Sequence, residues 1–347
     1  MKRLCILVAL ALAQATLVSL RAADALEIYW VDVEGGGGTL IVTPAKESIL
    51  IDTGWAGHRD AARIRDAAAK SGVTKIDFLI LTHFHVDHFG GAAELAKLMP
   101  IGTVYDNGIP EHDPDGGDDA RFLKNIQPYR EFKAGQRVIV HPGDTLPLKQ
   151  AEESPKLTFR FLAAEQKTID PPAEAPKNPL CASLETRAMD SSDNKNSVVS
   201  LVQYGPFRFF DGGDLTWNVE GRLVCPVNIP GPVDVYQVDH HGMNISNNPI
   251  LVRSLNPTVS VMNNGAHKGG AVETLAALKS APGIQAMYQV HKDLAHGEAG
   301  NTADELIANL EEKCAGNYIK LATAADGKSY TVSIPATRQQ RTFQTKE

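Results

Sequence analysis

Apolar positions along this chain come in short runs, bounded by Gly, Pro and Asp, whose spacing switches between the period of a strand and that of a helix. Residues 28–33, 39–43 and 48–52 predict three consecutive antiparallel strands, and the glycines from Gly35 to Gly38 turn the first into the second. Residues 58–70, rich in Ala and Arg and closed by Ser71 and Gly72, predict a helix. An apolar strand over 78–81 follows, then a helix over 91–99 stopped by Pro100, a strand over 103–105, and an Asp/Gly/Pro-rich loop over 106–119. A helix over 120–129 and a strand over 137–140 complete the first half.

Residues 166–179 contain Pro171, Pro172, Pro176 and Pro179 and show no periodicity, which predicts an exposed loop or lid. The pattern then restarts. Strands are predicted over 198–204, 207–211, 233–238, 259–262 and 287–290, with helices over 249–255, 272–279 and 302–312. Each half begins as a β-meander and continues as alternating β and α, so the expected architecture is a pseudo-duplicated sandwich of two sheets with helices outside. Residues 336–347 are expected to form a mobile tail.

With 347 residues, 43% hydrophobic and 22% charged, the chain can bury a substantial core. Its net charge of −7 disfavours extended nucleic-acid binding and leaves a small or short phosphoester open as a substrate. Lys2 and Arg3, the apolar stretch to Leu20 and the small residues Ala22 and Ala23 predict a signal peptide over 1–23. That places the remainder, with one domain expected over residues 24–335, in the periplasm or outside the cell, with no stable membrane anchor once the signal is removed. Cleavage after Ala23 removes three cations and no acid, taking the charge to −10. Of the four cysteines, Cys181, Cys225 and Cys314 remain. Their spacing excludes a zinc ribbon or a thioredoxin-like pair and leaves open one disulfide of any pairing, or none.

The densest chemistry is Thr82-His83-Phe84-His85-Val86-Asp87-His88, between an apolar strand and a predicted helix. Alternation puts His83 and His85 on one side, and Asp87 and His88 at the helix entrance face a second position, a pattern suited to two adjacent metals. Imidazole and carboxylate donors without cysteine suit Zn, Mn or Fe in a working site better than a structural zinc.

This HxHxDH turn, preceded by Ile49 to Gly54, resembles the metallo-β-lactamase superfamily. Asp32-Val33 with its glycine turn, Asn196-Ser197, Gly213-Asp214 and Asp239-His240-His241-Gly242 are most similar to the branch of the ComEC/Rec2 competence proteins and phosphorylcholine esterases. The resemblance implies an α/β fold, a four-layer αββα sandwich, with two divalent metal ions, zinc or else Mn or Fe, at the sheet edge. It assigns His83 and His85 to the first ion, Asp87, His88 and His241 to the second, and Asp214 rather than Asp211 as the bridge. Asn194 to Ser197 stand where many members have a further ligand histidine, so Asn196 is the expected helper of the first ion. His240 is expected to face the substrate, Asp87 to orient the attacking water, and His267 to contact substrate. Lys268 is read as solvated, and His58, His112, His141 and His291 as structural or solvated. The implied reaction is hydrolysis of a phosphoester or phosphodiester; a carboxylic ester, lactone or β-lactam, and a silent metal-binding module, are the alternatives.

Overall fold

The computed structural model describes residues 25–346; the signal peptide expected over 1–23 lies outside the described residues. Strands β1 (Glu27–Trp30), β2 (Thr39–Val42) and β3 (Ser48–Ile51) form the predicted meander, and helix α1 (His58–Lys70) leads to β4 (Ile76–Ile80). Helices α2 (Val86–Phe89) and α3 (Ala92–Leu98) follow the histidine turn; β5 (Ile101–Asp106), α4 (Asp119–Glu131) and β6 (Gln136–Ile139) complete the first half. The second half contains β7 (Leu157–Ala164), β8 (Lys167–Thr168), β9 (Val199–Tyr204), β10 (Phe207–Asp211), α5 (Trp217–Val224) and β11 (Val235–Gln237). It continues with α6 (Pro249–Leu255), β12 (Val259–Met262), α7 (Val272–Lys279), β13 (Ala286–His291) and β14 (Ile307–Asn309). Strands β15 (Ile319–Thr323), β16 (Ser329–Ile334) and β17 (Gln339–Gln344) end the described chain.

Two sheets result. The first runs β17-β16-β15-β1-β2-β3-β4-β5-β6 and the second β14-β13-β12-β11-β10-β9-β7-β8. In each, an antiparallel meander gives way to parallel strands, β3 to β6 in one and β10 to β14 in the other. The inner faces share one core, in which the Trp30 ring meets Phe209 edge-on at 5.7 Å and its Nε1 donates to Gln237. A second core lies between the first sheet and α1, α3 and α4, and a third involves the second sheet with α5, α6 and α7. The predicted αββα sandwich is therefore the observed fold. Because the parallel strands β3, β4, β10, β11 and β12 all deliver their C-terminal ends to connecting loops, the edge between the sheets is where loop side chains converge.

Three expectations need correction. The helix expected over 302–312 is instead a short 3₁₀ turn followed by β14, because Ile307 and Ala308 are buried where Ile307 and Asn309 pair with the open edge of β13. The tail expected to be mobile contains β17, which pairs with β16 along six residues. Only Phe343 of that strand is buried, stacked on Tyr330, so its polar sequence carries no strand pattern. Lastly, β7, α5, β15 and β16 arise from stretches for which no element was expected. The segment 166–179 is irregular beyond β8, and a disulfide between Cys181 and Cys225 fastens the turn after it to the end of α5.

Candidate metal centre

The histidine turn leaves β4 and is held by its neighbours before any ligand is considered. Asp52, just past β3, accepts from the Thr82 N–H and hydroxyl at 2.8 Å each and lies 2.6 Å from His88 Nδ1. The Phe84 N–H donates to Asp193, and the His85 Nε2 lies 3.0 Å from Asp115. Each ring is thus fixed through one nitrogen while the other points inward. His83 Nε2 and His85 Nδ1 face each other at 3.0 Å, and His88 Nε2 is 3.3 Å from His241 Nε2. Carboxylates that fix the far nitrogen of an imidazole are the usual support of a metal-ligating histidine.

The glycine turn after β1 closes the floor of the site. A Cβ on Gly36 would sit 2.4 Å from the Asp87 carbonyl oxygen, and one on Gly37 would meet Asp52 Oδ2 at 2.6 Å and His88 Nδ1 at 2.9 Å. Only glycine fits that approach.

Opposite it, the second sheet supplies Asp214 after β10 and the two histidines after β11. His240 and His241 adopt left-handed backbone, φ 52 and 55, and the His240 N–H donates to the Gly213 carbonyl. Both rings then address one carboxylate. Asp214 Oδ2 lies 3.2 Å from His88 Nε2, 3.2 Å from His241 Nε2, 3.5 Å from His240 Nε2 and 3.9 Å from His83 Nε2. Donor atoms of Asp87, His88, Asp214 and His241 all fall within 4.8 Å of one another, and every one of these residues is buried.

Burial alone would raise the Asp214 carboxyl, but His241, His88 and His240 outweigh it and hold it well below the usual range. Burial lowers His240 to about 4 despite Asp214, so its ring is neutral at physiological pH. Asp211, the competing bridge, sits outside the cluster; it accepts from the Gly213 N–H and burial pushes it up to about 7. Facing lone pairs of buried imidazoles and ionised carboxylates are mutually unfavourable without a cation, so the donor set fits divalent metal.

The structure brings together His83, His85, Asp87, His88, Asp214, His241 and His240. It does not bring His267, whose ring pairs with Glu312 at 3.1 Å and is 61% exposed. Its neighbour Lys268 is the residue that reaches inward, pairing with the Asp87 carboxylate. Asn196 is also displaced from its expected role, because its amide nitrogen donates to Asp193 and its oxygen accepts from Gln166. Asn194 takes that place: its Nδ2 is 3.4 Å from His240 Nε2 and its buried Oδ1 is among the side-chain atoms with no partner. Lys268, Asn194, Asp115 and Asp193 were missed; none lies in a dense motif, and only the position of Asn194 in the histidine-lacking loop offered a signal.

Residues 34–164 match the sequence model of the family described as the metallo-beta-lactamase superfamily. An atrochrysone carboxyl ACP thioesterase from Emericella nidulans is 34% identical over 110 residues, 31% of this chain and 33% of its own. Competence protein ComA of Neisseria gonorrhoeae is 25% identical over 232 residues, 67% of this chain and 26% of its own. Recombination protein 2 of Haemophilus influenzae is 28% identical over 242 residues, 69% of this chain and 24% of its own. The chain spans about a quarter to a third of the length of these relatives. A solved diphosphatase from the PhnP family aligns with 83% of this chain and 96% of its own at 13% identity and a TM-score of 0.39, a distance that supports no inference about chemistry. The matched segment contains the whole histidine turn, and over it the chain is similar to the metallo-β-lactamase superfamily.

Proposed function

We propose that the protein is an exported, dinuclear-metal hydrolase of a small or short phosphoester or phosphodiester. The observation that carries this reading is the position of Asp214 Oδ2, within 3.9 Å of ring nitrogens from both halves of the site. His83 and His85 would hold one ion, Asp87, His88 and His241 the other, and Asp214 both. Two such ions supply a water of lowered pKa and polarise the scissile oxygen. The chain's own groups do the rest. Lys268 at the mouth of the site offers a cation to an anionic substrate group once a metal takes over Asp87. The neutral His240 presents Nε2 towards the site, and Ser246 beside Nδ1, at 3.2 Å, keeps that ring in place. A cavity of about 350 Å³, lined by Phe84, Asn107, Pro110, Gln166 and Asn196 among others, touches the histidine turn at Phe84.

Two further features support the reading. ComA and recombination protein 2 align over two thirds of this chain, and the cationic Lys268 suits a phosphate better than a neutral ester. Export is supported by the leader sequence and by the Cys181–Cys225 disulfide, a bond that persists in oxidising compartments. The thioesterase likeness, over 110 residues of this chain, favours carboxylic ester or thioester cleavage as the second reading. A silent module is disfavoured by the retained HxHxDH turn, Asp214 and His241.

The test pairs metal content by plasma mass spectrometry with hydrolysis of bis-p-nitrophenyl phosphate, thioester, lactone and β-lactam reporters, for wild type and Asp214→Ala. Two equivalents of metal and Asp214-dependent phosphodiesterase activity are expected. Turnover of thioester or lactone alone transfers the conclusion to the second reading, and metal without any turnover revives the silent module.

A further inference from the structure

A second cluster of donors lies away from Asp214. Asp32 follows β1, His291 ends β13, and Cys314 sits in the irregular segment before β15; one donor atom from each falls within 4.8 Å of the others. None was singled out by the sequence as a ligand set, because the three come from distant parts of the chain.

The His291 ring is the informative member. It is fully buried, and its Nδ1 lies 3.2 Å from the Lys292 carbonyl, which can only accept. Nδ1 therefore carries the proton and Nε2 keeps its lone pair. That Nε2 is buried without any partner. The nearby donors are already committed: the Cys314 thiol donates to Asp32 Oδ2 at 3.0 Å, and the Arg63 guanidinium donates to Asp32 Oδ2 and to Cys314 Sγ. A buried acceptor left unsatisfied costs about 1–3 kcal/mol, so something positive or protic belongs there. A carbonyl-fixed imidazole with a free Nε2, beside a thiol and a carboxylate, has the donor chemistry of a zinc site with three protein ligands.

We propose that Asp32, His291 and Cys314 form a further metal site, separate from the Asp214 cluster, that binds one thiophilic divalent ion, zinc, and clamps the glycine turn to the C-terminal strands. Binding replaces the thiol proton: the S–H bond breaks, a sulfur–metal bond forms, and the proton leaves to solvent. Arg63, 3.2 Å from both Asp32 Oδ2 and Glu34 Oε1, stands beside the site. Two carboxylates and a thiolate balance that guanidinium and a divalent ion, leaving no net charge to bury. The clamp has a mechanical reason. Asp32 also accepts from the Glu34 N–H at 2.9 Å, at the start of the turn whose Gly37 N–H donates to the Asp87 carbonyl at 3.1 Å. Fixing Asp32 to β13 thus fixes the floor of the Asp214 site from behind.

The test uses the full chain in a Cys5→Ser background, stripped with chelator and titrated with Co²⁺. Expected are one extra equivalent of metal and a near-ultraviolet thiolate-to-cobalt charge-transfer band that is kept in Asp214→Ala and lost in Cys314→Ser and His291→Gln. Because the band does not depend on Asp214, it reads this site whether or not the hydrolase reading holds. Should either variant fail to fold, alkylation of Cys314 in the unsubstituted site serves instead: Zn²⁺ is expected to slow it at least 10-fold. No thiolate band, or alkylation indifferent to Zn²⁺, overturns the proposal.

Discussion

The two halves of the Asp214 site are built by opposite means. In the first sheet, one turn delivers His83, His85, Asp87 and His88, and a strand neighbour, Asp52, braces it. In the second, single residues arrive from separate loops, and His240 and His241 reach the site only through left-handed backbone. Such conformations cost about 1–3 kcal/mol each and persist only where the surroundings over-determine them. Here the surroundings are Gly213, which accepts from the His240 N–H, and the buried Glu220, which accepts the Asn247 and Asn248 N–H groups at 2.7 Å. A compact motif needs little help from the fold; a dispersed half-site depends on it throughout.

Removing a ligand from either half tests whether the halves are equivalent in function. His88→Ala and His241→Ala are each expected to lower activity by more than the 10- to 100-fold that loss of a supporting partner brings. If His241→Ala keeps wild-type turnover and metal content, the second half is not part of the centre. Next in size, loss of the disulfide should fall on the dispersed half alone. Cys181→Ser with Cys225→Ser is expected to lower stability by about 2–4 kcal/mol in urea unfolding. Asp52→Asn probes the bracing of the compact half: about 10- to 100-fold weaker metal retention in chelator competition, with the fold intact by circular dichroism.

The smallest effect concerns pH. Burial pushes the Glu220 carboxyl up to about 7, against the contacts with Asp239 and the Asn247 and Asn248 N–H groups that pull it down. A raised acid holds its proton in the folded state, so its stabilisation is full below the ordinary carboxyl range and fades as pH rises through about 7. Glu220→Gln should therefore flatten the fall in stability between about pH 5 and pH 8, by about 1–3 kcal/mol. An unchanged slope would mean that Asp239 carries the proton.

How far the sequence could be read follows the same division. The meander, α1, the histidine turn and most second-half strands were visible because alternation and helix stops are local. Residues 302–312 misled, since Glu, Ala and Leu favour a helix that pairing with β13 overrules. The tail misled because an edge strand with one buried residue, Phe343, has no pattern. His267 was chosen over Lys268, although which of two adjacent side chains turns inward is set by the path of a loop, here by the Gly269 and Gly270 backbone at φ 88 and 68.

Local order along the chain thus settled most of the strands, a sandwich of two sheets with helices outside and the HxHxDH turn, because spacing within a few residues dictates which side chains share a face. The tertiary structure alone decided that Lys268 and not His267 turns to the cluster, that Asn194 and not Asn196 faces it, and that Asp32, His291 and Cys314 meet. Those pairings rest on distances between segments far apart in sequence, which only the packing of one sheet on the other can fix.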